Sequence, residues 1–249
     1  SDENGLIPAK LEEAIQKHHP KMLYTIPTFQ NPTGRTLALE RREPIARLAA
    51  RYGMVVAEDD PYRDLRYTGE PLPSIKSFDK EGWVVFLGSF SKIISPGLRV
   101  GYMAGDPLIL RKCTIGKQSS DVHTANLTQA IVDQFLRRGL LPEHISSICA
   151  SYKAQMDAML DELASFPEGT RYTRPEGGLF IWAELPAGLD AKELLAKAVE
   201  RHVAYVPGTH FFVDGGHENT LRLNFSASTL EQIHQGMATL RGLVEESIR

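Results

Sequence analysis

Lys92 is the residue from which chemistry can be argued. It follows the apolar run 83–87 and lies in a turn rich in glycine and serine, Gly88-Ser89-Phe90-Ser91-Lys92, where a lysine has little structural reason to be and is a candidate reactive amine. Two further polar runs, Asn31-Pro32-Thr33-Gly34 and Glu58-Asp59-Asp60-Pro61-Tyr62, close other apolar stretches that read as strands. Ligands of α/β sheets bind at the carboxyl ends of strands, so three such ends are placed where a small molecule would be held. Taken singly, each has a plainer explanation: NPTG is a good turn, the acidic run could cap a helix, and a lone lysine is usually solvated. Ser89-Phe90-Ser91-Lys92 also matches the SxxK of serine acyl-enzymes, but neither SDN nor KTG accompanies it, and GxGxxG, GxxxxGK[ST], HExxH and GxSxG are absent.

The elements that must position these residues follow from hydrophobic spacing. Pro8 with Leu11, Ala14 and Ile15 predicts a helix, and 22–26 a strand. Leu39, Ile45, Leu48 and Ala49 predict a helix ended by Gly53, with Arg41, Arg42, Arg47 and Arg51 as its solvated face. Apolar strands are expected at 54–57, 83–87 and 98–103, helices through 107–138, and one long helix over 143–166 that links two domains. A strand at 179–184, a helix at 191–201, short strands near 203–206 and 221–225 and a final helix from Thr229 complete the pattern. The fold class is therefore α/β, a mostly parallel sheet with helices on both faces, plus a smaller C-terminal α+β domain, with domains at 1–140 and 141–249.

Composition bounds the function. Of 249 residues, 28 are Lys or Arg and 31 Asp or Glu, a net charge of −3 that argues against nucleic acid as the main partner. The longest apolar runs have five residues, against the ~20 needed to cross a bilayer, so no membrane is expected. Cys113 and Cys149 form no CxxC and fall in predicted helices, which reads as two buried reduced thiols and a cytoplasmic setting. The start Ser1-Asp2-Glu3-Asn4-Gly5 lacks an initiator Met and the basic and apolar regions of a leader, and the chain reads as a fragment.

Phe29-Gln30-Asn31-Pro32-Thr33-Gly34, Glu58-Asp59-Asp60-Pro61-Tyr62, Ser89-Phe90-Ser91-Lys92 through Arg99, and Leu221-Arg222-Leu223-Asn224 stand in one order and at one set of approximate spacings, and in these the chain resembles a fold-type I pyridoxal phosphate aminotransferase of class I/II. Gly177-Gly178-Leu179-Phe180-Ile181-Trp182 is similar to the branch containing the 2-aminoadipate and kynurenine aminotransferases. The resemblance implies transfer of an α-amino group from an amino acid to a 2-oxo acid by a ping-pong route, with pyridoxal 5'-phosphate as cofactor and no metal. It implies that Lys92 bonds covalently to the cofactor and moves the substrate Cα proton, and that Asp59 pairs with the pyridine nitrogen. Tyr62 and Asn31 would hydrogen-bond the ring 3'-oxygen, Ser89, Ser91 and Arg99 would take the phosphate, and Arg222 would take the substrate α-carboxylate, with Asn31 also counted among the substrate-binding residues.

The family also implies a homodimer, and it places before these motifs an arm, a glycine-containing phosphate loop and an aromatic residue stacked on the ring. None of these precedes Asn31. The expectation is a C-terminal portion, truncated in its large domain, inactive alone and exposing apolar surface where the remainder would pack. The alternative is the aminotransferase-like effector domain of a bacterial transcription regulator that has lost its DNA-binding head.

Overall fold

Short apolar runs alternating with amphipathic helices build the first half of the chain. The structure is a computed structural model that describes residues 1–248. Contacts gather the chain into two units, residues 1–28 with 35–148, and residues 29–34 with the chain from Cys149 onward.

In the first unit, α1 (Pro8–His18) begins on a proline that needs no N–H partner at that position. Helix α2 (Leu39–Tyr52) ends on Gly53 at φ 61°, a conformation that costs glycine least. Strands β1 (Met22–Thr25), β2 (Val55–Asp59) and β3 (Val84–Ser89) pair in parallel in that order, and β4 (Gly101–Ala104) adds antiparallel to β3. The sheet is thus mixed and mostly parallel. Ile15, Ile45, Ala49, Met54, Val56, Ile75 and Val84 form the core that holds α1 and α2 against it. Helices α3 (Pro107–Ser120) and α4 (Asn126–Arg137) follow; α3 has no buried residue and α4 buries Val132. Leu108 and Leu127 are 77% and 73% exposed, and all four residues of β4 are exposed.

Two expectations are corrected here. Cys113 is exposed and Cys149 half-buried, not both buried, because Cys113 rides on the uncovered helix α3. Arg42 is not on a solvated face: it is fully buried, since 42, 45 and 49 recur at helical spacing on the stripe of α2 that faces inward. Its guanidinium donates to Leu37 O at 3.1 Å, Pro73 O at 2.8 Å, Pro27 O at 3.3 Å and Thr28 Oγ1 at 3.3 Å. Burial lowers its pKa, while the carboxylates of Asp60 and Glu58 favour the charge.

In the second unit, α5 (Leu141–Leu163), which runs through the division at 148/149, buries Met156, Met159, Leu160 and Leu163. Strands β5 (Arg171–Tyr172), β6 (Phe180–Glu184), β7 (Val206–Pro207) and β8 (Thr220–Asn224) form an antiparallel sheet ordered β5-β6-β8-β7. Helices α6 (Ala191–Glu200) and α7 (Leu230–Ile248) pack on one another, with Asp190 capping α6 by accepting from Lys192 N at 2.7 Å. Segment 29–34 meets this unit at two glycines with left-handed backbones. A Cβ on Gly34 (φ 68°) would sit 2.6 Å from Phe180 O, and one on Gly178 (φ 78°) 2.5 Å from Phe29 Cβ.

Arg42→Met in the whole protein should lower the unfolding free energy by about 3–5 kcal/mol, because carbonyls lose their donor and two buried carboxylates lose their cation. Denaturant titration reads this, and a loss below about 1 kcal/mol would show that the guanidinium is dispensable.

Candidate functional site

Strand β2 ends on Glu58 and Asp59, Asp60 follows at once, and the alternation of the extended chain sends 58 and 60 to one face and 59 to the other. Glu58 is fully buried and accepts from Ile75 N and Lys76 N, both at 2.7 Å; burial pushes its pKa up, and these N–H groups work against that. Asp60 is 3% exposed, accepts from Thr28 Oγ1 at 3.4 Å and has Arg63 Nη1 at 3.9 Å, while its Oδ1 is buried without a hydrogen-bond partner. Burial pushes the Asp60 carboxyl up to about 7. Asp59, between them, turns to the other face, where the Tyr24 hydroxyl donates to its Oδ2 at 2.5 Å.

Strand β3 ends on Ser89, whose Oγ accepts from Ser91 N at 3.1 Å. Phe90 closes the following loop: its N–H donates to Val100 O at 3.1 Å, and its carbonyl accepts from Ile94 N at 2.8 Å and Ser95 N at 3.2 Å. This turn holds Ser91 and Lys92 half-buried. Arg99 is exposed and lies in the left-handed region at φ 56°, a conformation that costs a non-glycine residue free energy, with Nη1 donating to Pro96 O at 3.2 Å. Gly88 lets the Tyr102 ring lie against the strand; a Cβ there would be 2.3 Å from the ring.

The first unit therefore carries Asp59, Ser89, Ser91 and Lys92 at the carboxyl edge of two adjoining parallel strands, with Tyr62 buried in the turn after β2 and Arg99 at the end of the loop after β3. An amine, a carboxylate held by a donor, two hydroxyls and a guanidinium are the groups that suit an aldehyde, a protonated ring nitrogen and a dianion. Tyr24 was not among the residues singled out from the sequence. The available signal is parity: Tyr24 pairs with Ala57, so it shares a face with Asp59 two residues on.

The second unit carries the other two predicted residues and brings them together. Arg222, in the middle of β8, donates from Nη1 to Asn31 Oδ1 at 2.7 Å. The guanidinium carbon lies 4.3 Å from the Phe180 ring centre and 5.4 Å from that of Phe211. Trp182 meets Phe211 edge-on at 5.9 Å, and Phe212 stacks on His217 at 3.9 Å. Flanking rings fix the plane of a guanidinium and leave its edge for a carboxylate. Asn31 is held by the NPTG turn, in which Gly34 N donates to Gln30 O at 2.6 Å and Thr33 Oγ1 to Gln30 Oε1 at 2.7 Å.

Comparison with known proteins gives one family model, described as aminotransferase class I and II, that matches residues 1–240. The chain is 44% identical to aromatic-amino-acid aminotransferase 1 of Thermococcus litoralis, covering 100% of this chain and 61% of that one. It is 42% identical to 2-aminoadipate transaminase of Thermus thermophilus, over 92% of this chain and 59% of that one. Among solved structures, kynurenine aminotransferase of Pyrococcus horikoshii superposes with a TM-score of 0.95 at 43% identity, covering 100% of this chain and 63% of that one. An uncharacterized HTH-type transcriptional regulator of Bacillus subtilis is 30% identical over 95% of this chain and 49% of its own. The chain thus spans about three fifths of the length of the curated aminotransferases named here.

The buried Asp60 predicts a pH dependence of stability. Its folded pKa, about 7, is raised above its ordinary 3.8, so between pH ~4 and ~7 the native state keeps a proton that the unfolded chain releases, and stability falls as pH rises through that window. Asp60→Asn should flatten this slope by up to roughly 4 kcal/mol. Urea midpoints of the whole protein measured from pH 4 to 8 check it, and parallel profiles for parent and variant would refute it.

Proposed function

The chain belongs to the aminotransferase class I and II family, and from that premise we propose that the whole protein moves an α-amino group from an amino acid to a 2-oxo acid in two half-reactions, with pyridoxal 5'-phosphate as its cofactor. The observation that carries the reading is the donor set at one sheet edge: Lys92, Asp59 with its tyrosine donor, Ser89 and Ser91, and Arg99 in the loop that follows. These types fit the group, since its aldehyde, ring nitrogen and phosphate call for an amine, a carboxylate and several donors. When bound, pyridoxal phosphate supplies an electron sink for a bond broken at the substrate Cα.

The residues then divide the work. Lys92 Nζ is the amine that would hold the cofactor's aldehyde and, when free, would accept the proton from the substrate Cα. Asp59 would favour a protonated ring nitrogen by countering its charge, and Tyr62 and Asn31 would be the donors for the ring 3'-oxygen. Ser89, Ser91 and Arg99 would hold the phosphate, the hydroxyls and guanidinium supplying neutral and charged donors from the end of β3 and the loop after it. Arg222 takes the substrate α-carboxylate through paired N–H groups, oriented by Asn31 and by the flanking rings. The same reading makes the whole protein a cytoplasmic homodimer with a large domain ending near residue 140 and a small domain beyond it. Relatives named for aromatic amino acids and 2-aminoadipate support substrates with long side chains.

A second reading is favoured by the similarity to the Bacillus subtilis regulator: an effector domain that keeps the same donor set and controls DNA binding. Steady-state amino transfer with the whole protein separates the two, since a regulator would bind the cofactor without turnover.

Lys92→Ala in the whole protein should abolish borohydride trapping of the cofactor on the chain and cut amino transfer by roughly 10²–10⁴ or more. A variant retaining both would overturn the assignment. Arg222→Lys should raise KM for the amino acid by roughly ten-fold or more, because an ammonium cannot form the paired contact; an unchanged KM would remove Arg222 from the carboxylate site.

A further inference from the structure

We propose that Tyr24 is a positioning residue for Asp59: by holding Oδ2 it orients the carboxylate so that Oδ1 is the oxygen presented to a protonated ring nitrogen. The inference rests on the reading above for Asp59 and adds a residue to it. In the parallel pair β1–β2, Tyr24 is opposite Ala57, and Asp59 lies one pleat further along the same face, so the phenol reaches diagonally across the ladder to the strand end. The contact at 2.5 Å is in the range of an O–H donor to a charged oxygen, stronger and shorter than a neutral hydrogen bond. Among the described residues, Oδ1 of Asp59 has no donor, so one oxygen is committed and one is left over.

Two features argue against an incidental surface contact. Asp59 is flanked by Glu58 and Asp60, which are buried on the opposite side, so its backbone is fixed from behind and only rotation about χ1 and χ2 remains for the phenol to restrain. Desolvation, together with the hydrogen bond to Asp59, raises the Tyr24 pKa above its ordinary value, so the hydroxyl stays protonated, and therefore a donor, across the range in which enzymes of this chemistry work. Tyr24 remains 55% exposed, which leaves its ring with little packing role to confuse with the hydroxyl's.

The test uses the whole protein with pyridoxal 5'-phosphate and compares the parent with Tyr24→Phe, Asp59→Asn and the double variant. Tyr24→Phe keeps the ring and removes the donor. It should weaken cofactor affinity by roughly ten-fold and lower kcat by a similar factor while leaving KM for the amino acid within about two-fold. In the Asp59→Asn background the same change should have no further effect. Tyr24→Phe with cofactor affinity and kcat within about two-fold of the parent, or an equal loss in both backgrounds, would overturn the proposal. If Asp59→Asn alone leaves cofactor affinity unchanged, the reading of Asp59 fails and the role of Tyr24 falls with it, whereas a damaging Asp59→Asn with a silent Tyr24→Phe sinks only the latter. A readout independent of the phenylalanine variant is NMR of ring-labelled tyrosine in the apoprotein: Asp59→Asn should shift the Tyr24 ring resonances, and unchanged resonances would overturn the contact.

Discussion

The constraint on which the first unit depends is the burial of charge behind the end of β2. Three adjacent carboxylates would repel one another and could not all be desolvated. The pleat separates them, giving Glu58 two backbone N–H donors and placing Asp60 near Thr28 and Arg63. Arg42, itself enclosed, ties the loops around 27–28, 37 and 73 together and supplies positive charge on that side of the sheet. The strand end is thereby held from one face, and Asp59 alone of the three turns its carboxylate to the other, where Tyr24 meets it. Buried ionic clusters of this kind are poor sources of net stability, and their value here is geometric.

The second unit solves a related problem with different means. Arg222 sits in a central strand, where a long cation would ordinarily sample several rotamers. An amide oxygen on one nitrogen and aromatic faces on its flanks restrict it. The amide belongs to a residue 191 positions earlier in the chain, on a six-residue segment that folds with this unit and not with its sequence neighbours.

That exchange marks the limit of what could be read in advance. Strands and helices were legible because short apolar runs bounded by Gly and Pro leave few alternatives, and the terminating Gly53 and the proline opening α1 act locally. The antiparallel direction of β4 was not, since a four-residue strand carries no sign of which way it pairs. Arg42 was misread because charge was weighed above its position on the inward stripe, and Cys113 because a cysteine in a helix was assumed to face a core that α3 does not meet. The candidate residues were legible through contiguous motifs, in which Asn31, Asp59 and Lys92 each stand among recognisable neighbours. Tyr24 stands in no motif and becomes visible only when strand register is known. The expected domains at 1–140 and 141–249 follow from the long linking helix over 143–166, while the grouping of 29–34 with the chain from Cys149 onward is a long-range pairing that spacing does not encode.

The glycine contacts at 34 and 178 hold the Asn31 segment at a place apart from the aromatic residues at 211 and 212. Asn31 is seated where Gly34 lies against the Phe180 carbonyl and the Pro175 ring, and where Gly178 lies against the Phe29 side chain. The rings of Phe211 and Phe212 lie in another stretch of chain and lean on Trp182 and His217. A change at Phe212 or His217 therefore leaves the glycine contacts that seat Asn31 in place, whereas a change at Phe211 also loosens the flank of Arg222.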